Sequence, residues 1–193
     1  PLSADQISLI QRWVKQGARW KAHWAWTAPQ RPSVPVLKHS FIKNDIDRFV
    51  LAKLKEKMAK PSKHAGRVTL IRRLYFDLTG LPPTSAQVQA FVENTSSSAY
   101  QELITQLLAL PQFGERMAMY WLDVVRYADS NGYHADKTRQ VSPYRDYVIE
   151  AFNSNKPYDV FVREQIAGDL IPNATLEQQV ASAFNMLLQT TDE

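Results

Sequence analysis

The sequence predicts an all-α fold, an irregular multi-helix bundle of about eight or nine helices with long connections. Three observations predict it. Apolar residues recur at three- and four-residue spacing through most of the 193 residues. Helix starts are marked by capping boxes and by proline in the first turn. No alternating apolar and polar run of comparable quality reads as a strand, and there is no internal repeat. Hydrophobic residues at 45% and aromatics at 11% are enough to fill a core, which argues against disorder.

The elements follow in order. Ser3-Ala4-Asp5-Gln6 is a capping box. Ile7, Ile10, Trp13 and Val14 come next at helical spacing, and Gly17 stands where a helix ends in a left-handed residue. Trp20 to Pro35, with Trp24, Trp26, Pro29 and Pro32, reads as an extended linker whose rings pack on a neighbouring surface. From Asn44 a helix carries Ile46, Phe49, Val50 and Leu54 on one face, with Lys53, Lys55, Lys57 and Lys60 elsewhere. Another runs from about Val68 to Leu78 and closes at Thr79-Gly80. Leu81-Pro82-Pro83-Thr84 then turns the chain and caps a helix through Val92. Ser96 to Ser98 lead into a helix from Ala99 to Leu110, and Pro111 reads as a connection into a long helix near Gly114 to Ala128. Asp129 to Val141 lacks periodicity and is expected to be a loop. Ser142-Pro143 opens the next helix, with Tyr147, Val148 and Phe152, ending near Asn153. Pro157-Tyr158-Asp159 opens another, with Val160, Phe161, Ile166 and Ala167, broken by Gly168 to Asn173. Thr175-Leu176-Glu177-Gln178 is a second capping box, for a last helix with Val180, Phe184 and Leu187.

Composition bounds function mainly by exclusion. The chain contains no cysteine, which removes disulfides, thiolate metal sites, a cysteine nucleophile and covalent c-type haem from this segment. No apolar run approaches 18 residues, so no transmembrane segment is expected, and no charged and apolar leader opens the chain. Its start at Pro1 reads as a boundary inside a longer polypeptide. The net charge of +4 is asymmetric: residues 1–96 hold 16 Lys and Arg against six Asp and Glu, and residues 97–193 hold seven against 13. Such a chain can steer an acidic partner to its first half, or its halves can neutralise one another. No nucleic-acid-binding motif accompanies the charge, so no nucleic acid is expected as a partner.

The densest cluster of reactive side chains lies between Gly114 and Asp146. On a helical wheel Arg116, Tyr120, Asp123 and Tyr127 form one stripe, with Arg126 at its edge, while Met117, Trp121, Val124 and Ala128 form the apolar one. Asp123 and Arg126 are either a surface pair worth a few tenths of a kcal/mol or members of a buried network that must be fully hydrogen-bonded. Asp129, Asn131 and Asp136 supply oxygen ligands in a flexible loop, as a divalent cation such as calcium prefers. The loop is no EF-hand, and Asx turns account for the same residues. His134 is the one imidazole in this group and the best candidate base or ligand. Arg145 and Asp146, in the first turn of the next helix, are the remaining candidates, although the helix dipole already favours an acid there. Asp123, Arg126, His134, Arg145 and Asp146 are therefore the catalytic candidates. Glycine elbows and phosphate-binding loops are absent.

Four long motifs carry a family resemblance. They are Leu78-Thr79-Gly80-Leu81-Pro82-Pro83-Thr84; Gly114-Glu115-Arg116 with Tyr120 through Tyr133; Tyr144-Arg145-Asp146-Tyr147-Val148-Ile149; and Pro157-Tyr158-Asp159 through Glu164-Gln165-Ile166-Ala167-Gly168-Asp169-Leu170. In this order they closely resemble the domain of unknown function of planctomycete cytochrome-containing proteins, over about residues 40–190. The opening helix, with Trp13 and Gly17-Ala18, resembles the last helix of the cytochrome c-like domain that precedes it. The resemblance divides the chain into a terminal helix (1–19), a Trp/Pro-rich linker (20–40) and the helical domain (41–193), the last cut short at its C-terminal end. It implies a large, exported, multidomain parent, periplasmic or secreted, with haem c in the parent and none in this chain. The implied partners are other domains of the same polypeptide, including the cytochrome c-like domain; the oligomeric state is left open.

Two functions are then expected. One is a helical module supporting electron transfer or substrate docking. The other is part of an enzyme, an oxidoreductase or a hydrolase on complex carbohydrate, with a polar Asp/Arg/His site around residues 123–146.

Overall fold

The structure, a computed structural model, describes residues 2–131 and 136–187. Nine α-helices are present among the described residues, and no strand. Among the described residues the nearest approach to a sheet is one antiparallel bridge between Ser130 and Thr138. The all-α expectation therefore holds. The chain divides into two compact units, residues 1–63 and 64–193.

In the first unit, α1 (Ala4–Lys15) starts at its predicted box, where Ser3 Oγ accepts the Gln6 N–H and Gln6 Oε1 accepts the Ser3 N–H. It ends in a Schellman turn: the Ala18 N–H reaches the Trp13 carbonyl, and Gly17 takes φ +91°, which a residue without Cβ adopts freely. None of its residues is buried. Within this unit Trp20, Trp24 and Trp26 are 80–86% exposed, around a 3-10 turn at Trp24–Trp26. α2 (Asp45–Glu56) opens at Asn44 with a capping box completed by Asp47.

The second unit holds two hydrophobic clusters. Ile71 and Tyr75 of α3 (Arg67–Thr79), Phe91 of α4 (Ser85–Glu93) and Ala99, Leu103 and Leu107 of α5 (Ala99–Leu108) form the first. The four-residue spacing along α3 and α5 is what turns these side chains to one side. Arg67 fastens the start of α3 to the end of α4, its guanidinium lying over the Phe91 ring and donating to the carbonyls of Phe91 and Asn94. The second cluster gathers Ala118 of α6 (Pro111–Val124), Tyr144, Tyr147, Val148 and Ala151 of α7 (Ser142–Asn153), Phe161 of α8 (Tyr158–Ala167) and Ala181 of α9 (Leu176–Ala181). α6 packs on both α3 and α7 and so joins the clusters.

Two expectations about α6 are corrected. Pro111 is inside the helix, in its first turn, where a missing N–H costs nothing. The helix also stops at Val124, four residues short of Ala128. Arg126 enters the left-handed region at φ +59°, and the Tyr127 and Arg126 N–H groups close on the Leu122 and Asp123 carbonyls in a second Schellman turn. The inward face is accordingly Gly114, Ala118, Trp121, Leu122 and Val125, while Val124, expected inside, is 72% exposed. α9 likewise stops at Ala181 and continues as a 3-10 segment, Ser182–Met186.

Candidate functional site

The turn that ends α6 decides where the predicted residues go. Asp123 and Arg126 stay exposed and form no ion pair with each other among the described residues, since Arg126 has left the helix on which the two would face. Tyr127 turns inward instead. Its ring stacks on Tyr144 at 6.5 Å and its hydroxyl donates to Asp129 Oδ1 at 2.7 Å. Burial, then the hydrogen bond and charge of Asp129, push the Tyr127 phenol up to about 12; Arg145 opposes the shift and Asp146 adds to it. Tyr127, Asp129, Arg145 and Asp146 are thus one electrostatic neighbourhood. Arg145 Nη1 and Asp146 Oδ1 pair at 3.1 Å with both side chains exposed, a contact worth well under about 1 kcal/mol.

The loop beyond Asp129 is closed at its base. Arg139 N–H donates to the Asp129 carbonyl at 2.7 Å, and Asn131 N–H to the Lys137 carbonyl at 3.0 Å, on either side of the Ser130–Thr138 bridge. Asp136 is exposed with φ +43°. His134 lies outside the described residues. Among the described residues no three His or carboxylate side chains gather as a metal-holding group. His23 and His39 each accept a backbone N–H at Nδ1, from Ala25 and Phe41.

A buried polar network lies behind Tyr127. The Trp121 indole N–H is shared between Tyr144 Oη at 3.1 Å and Gln165 Oε1 at 2.9 Å; Tyr144 Oη donates to the same Gln165 oxygen at 2.6 Å. Gln165 Nε2 donates to the Phe161 carbonyl. Beside it Glu164, 5% exposed, accepts from Tyr147 at 2.9 Å, from Lys156 at 2.6 Å and from Gln178 at 3.1 Å. Lys156 also reaches Glu177 at 2.9 Å. A buried charge is tolerable only with such partners. Burial alone would raise the Glu164 acid, but the bonds from Lys156, Gln178 and Tyr147 outweigh it and hold its carboxyl below the ordinary value. Burial would lower Lys156, and its two carboxylate partners hold it above. Burial also lifts the Tyr144 phenol to about 12. The signal for these residues was available: Glu164 and Gln165 stand three and four residues after Phe161, positions that an apolar face should fill.

Next to the network is a cleft of about 300 Å³, walled by Phe113, Trp121, Phe152 and Phe161, with Asn155, Lys156 and Tyr158 as its polar lining. Its size suits a small ligand, and its one cation is already bound by Glu164 and Glu177. The arrangement offers aromatic surface and a hydrogen-bonded phenol–carboxylate pair at Tyr127–Asp129.

No curated protein and no solved structure matches the chain. The family model PSCyt2, described as a protein of unknown function (DUF1549), matches residues 45–193. That range contains all four of the motifs from Leu78 to Leu170 and every residue of the network. The chain therefore belongs to the PSCyt2 family, a planctomycete cytochrome-associated domain of unknown function.

Proposed function

We propose that this chain is a helical accessory module of an exported, periplasmic or secreted, multidomain cytochrome-type protein, supporting electron transfer or substrate docking among domains of the same polypeptide. In this reading residues 1–19 complete a cytochrome c-like domain, residues 20–40 link it to the helical domain, and whatever haem the parent holds is attached elsewhere, because a chain without cysteine offers no thioether link. The observation that carries the reading is α1: a capped, well-formed helix whose Ile7, Ile10, Trp13 and Val14 are 42–56% exposed. A helix gains most of its stability in proteins by burying such a face. The buried network of the second unit supports it too, since Trp121, Tyr144, Tyr147, Lys156, Glu164 and Gln165 bond among themselves and with Gln178 and so hold α6, α7, α8 and α9 together. The test is to co-purify this chain with the parent's haem-containing domains and to record haem reduction with and without it. Association with an altered reduction profile is expected; neither association nor any redox change would overturn the proposal.

The enzymatic reading has one observation in its favour, the convergence of Asp129, Arg145 and Asp146 on Tyr127. Under it, Asp129 and Asp146 act as acid and base groups, and Asp129, Asn131 and Asp136 offer oxygens to a cation such as calcium. Release of reducing ends from complex polysaccharide by the full-length protein, lost in Asp129→Asn and Arg145→Ala, is the result it requires.

A further inference from the structure

We propose that Trp121, Tyr144 and Tyr127 form a relay that carries an oxidising equivalent from the aromatic cleft to the surface at Asp129. The inference rests on the redox setting proposed above and gives this module a part in it.

Three contacts make the route. Trp121 is a wall of the cleft, and its indole N–H meets the Tyr144 hydroxyl at 3.1 Å. Tyr144 stacks on Tyr127 with ring centroids 6.5 Å apart and planes 21° from parallel. Tyr127 in turn donates to Asp129 at 2.7 Å. Packing accounts for the stacking, which aromatic side chains favour anyway. It does not account for the order of hydrogen-bond partners, an amide inside and an exposed carboxylate at the rim.

That order sets the direction. A phenol gives up an electron far more readily when a base takes its proton at the same time. Tyr144 donates to the Gln165 amide oxygen, which is no base, so Tyr144 conducts without holding the charge. Among the described residues two phenols face carboxylates, Tyr127 on Asp129 and Tyr147 on Glu164. Glu164 is buried and already engaged with Lys156 and Gln178; a proton there would break up a buried ion pair. Asp129 is exposed and can pass a proton to water. Tyr127 is the terminus.

The step balances with one external reactant. A strong one-electron oxidant at the cleft, of the class of a ferryl haem or a ruthenium(III) complex, takes one electron from Trp121 and is reduced by one electron. Tyr127 refills Trp121 through Tyr144, and its proton goes to Asp129. Trp121 and Tyr144 end unchanged, with Tyr127 a neutral phenoxyl radical beside a protonated Asp129.

The absence of cysteine allows a ruthenium polypyridyl photosensitiser to be attached at a single Tyr158→Cys substitution, a cleft position 72% exposed. After flash–quench oxidation, transient absorption and electron paramagnetic resonance should show a tryptophan radical giving way to a tyrosine radical. Tyr127→Phe keeps the ring and its packing, and should make the tryptophan radical about tenfold longer-lived, as should Asp129→Asn. An unchanged lifetime in Tyr127→Phe, or a tyrosine radical that survives it, would overturn the relay. Because the oxidant is artificial, that failure would leave the association test of the haem domains standing, and failed association would leave the relay measurable.

Discussion

Glu164 is where the chain places a charge on the face of α8 that an apolar residue should occupy, and Lys156 is what makes that tolerable. Lys156→Met leaves the carboxylate buried beside Tyr147 and Gln178 with no cation, so a loss of about 3–5 kcal/mol is expected. Urea denaturation checks it, and adding Glu164→Gln should recover part of the loss. The same pair sets the pH range of stability. Glu164 is held below its ordinary 4.5, so its contribution is present above pH 4.5 and lost as pH falls through the folded value. Lys156 is held above 10.5, so its contribution is present below pH 10.5 and lost as pH rises through its folded value; the Tyr127 and Tyr144 phenols rise from 10.0 to about 12, and their contributions are present below pH 10 and lost as pH climbs towards 12. Melting temperature against pH should show a plateau between these limits with a fall on both sides. Such pairing was hidden in the sequence, because Lys156, Glu164 and Glu177 are eight and 13 residues apart and meet only through the α8–α9 fold. Arg145-Asp146 and Tyr127-Asp129 were legible as a polar cluster. That Asp123 and Arg126 stand apart was not, because it depends on where α6 stops.

At the scale of the element, helix starts were readable because a cap is a local bargain between residues three apart. Ser3 with Gln6 and Thr175 with Gln178 form the boxes their spacing implies, and Thr84 with Gln87 forms another. Helix ends were harder, since Met58, Arg126 and Asn155 all close helices in the left-handed conformation without the glycine that usually signals it. Gln178 shows how a local motif acquires a tertiary duty. Its Oε1 accepts the Thr175 N–H while its Nε2 donates to Glu164. Gln178→Glu, harmless in an isolated capping box, should here remove a donor and set a second acid against a buried one, costing about 1–3 kcal/mol in chemical denaturation. The crossing of α8 and α9 is equally unforgiving. A Cβ on Gly168 would lie 1.9 Å from the Gln178 carbonyl oxygen, so Gly168→Ala should cost about 1–3 kcal/mol by overpacking. Gly66 contrasts with it. This residue starts α3 with nothing within 4 Å of its missing Cβ and no side-chain cap; Gly66→Ser should be neutral or add a few tenths of a kcal/mol. Denaturation midpoints of the two variants should move in opposite directions or leave Gly66→Ser in place.

Whole-molecule stability rests on how two clusters share one unit. Every buried side chain among the described residues except Leu51 lies between Ile71 and Leu187, within residues 64–193. A polypeptide of residues 64–193 is therefore expected to be helical by circular dichroism and to unfold cooperatively in urea. Whether it behaves as one body depends on α6, which packs on α3 and on α7 and stands between the Ile71–Leu107 cluster and the Tyr144–Phe161 cluster. Gly114 fixes that helix in place: its N–H donates to Asn153 Oδ1 at 2.8 Å, and a Cβ there would approach the Ile149 carbonyl oxygen to 2.5 Å. Rigid attachment on one side and a shared helix on the other predict a single transition. Leu107→Ala in the first cluster should cost about 2–5 kcal/mol and Phe161→Ala in the second about 3–5 kcal/mol, and both should move that same transition, followed by circular dichroism and by tryptophan fluorescence, which reports Trp121 at the second cluster. Coincident curves in both variants mean that α6 couples the clusters. Separate steps, with Leu107→Ala shifting only the dichroism and leaving the fluorescence midpoint in place, would mean that the two cores fold independently and that α6 merely touches both.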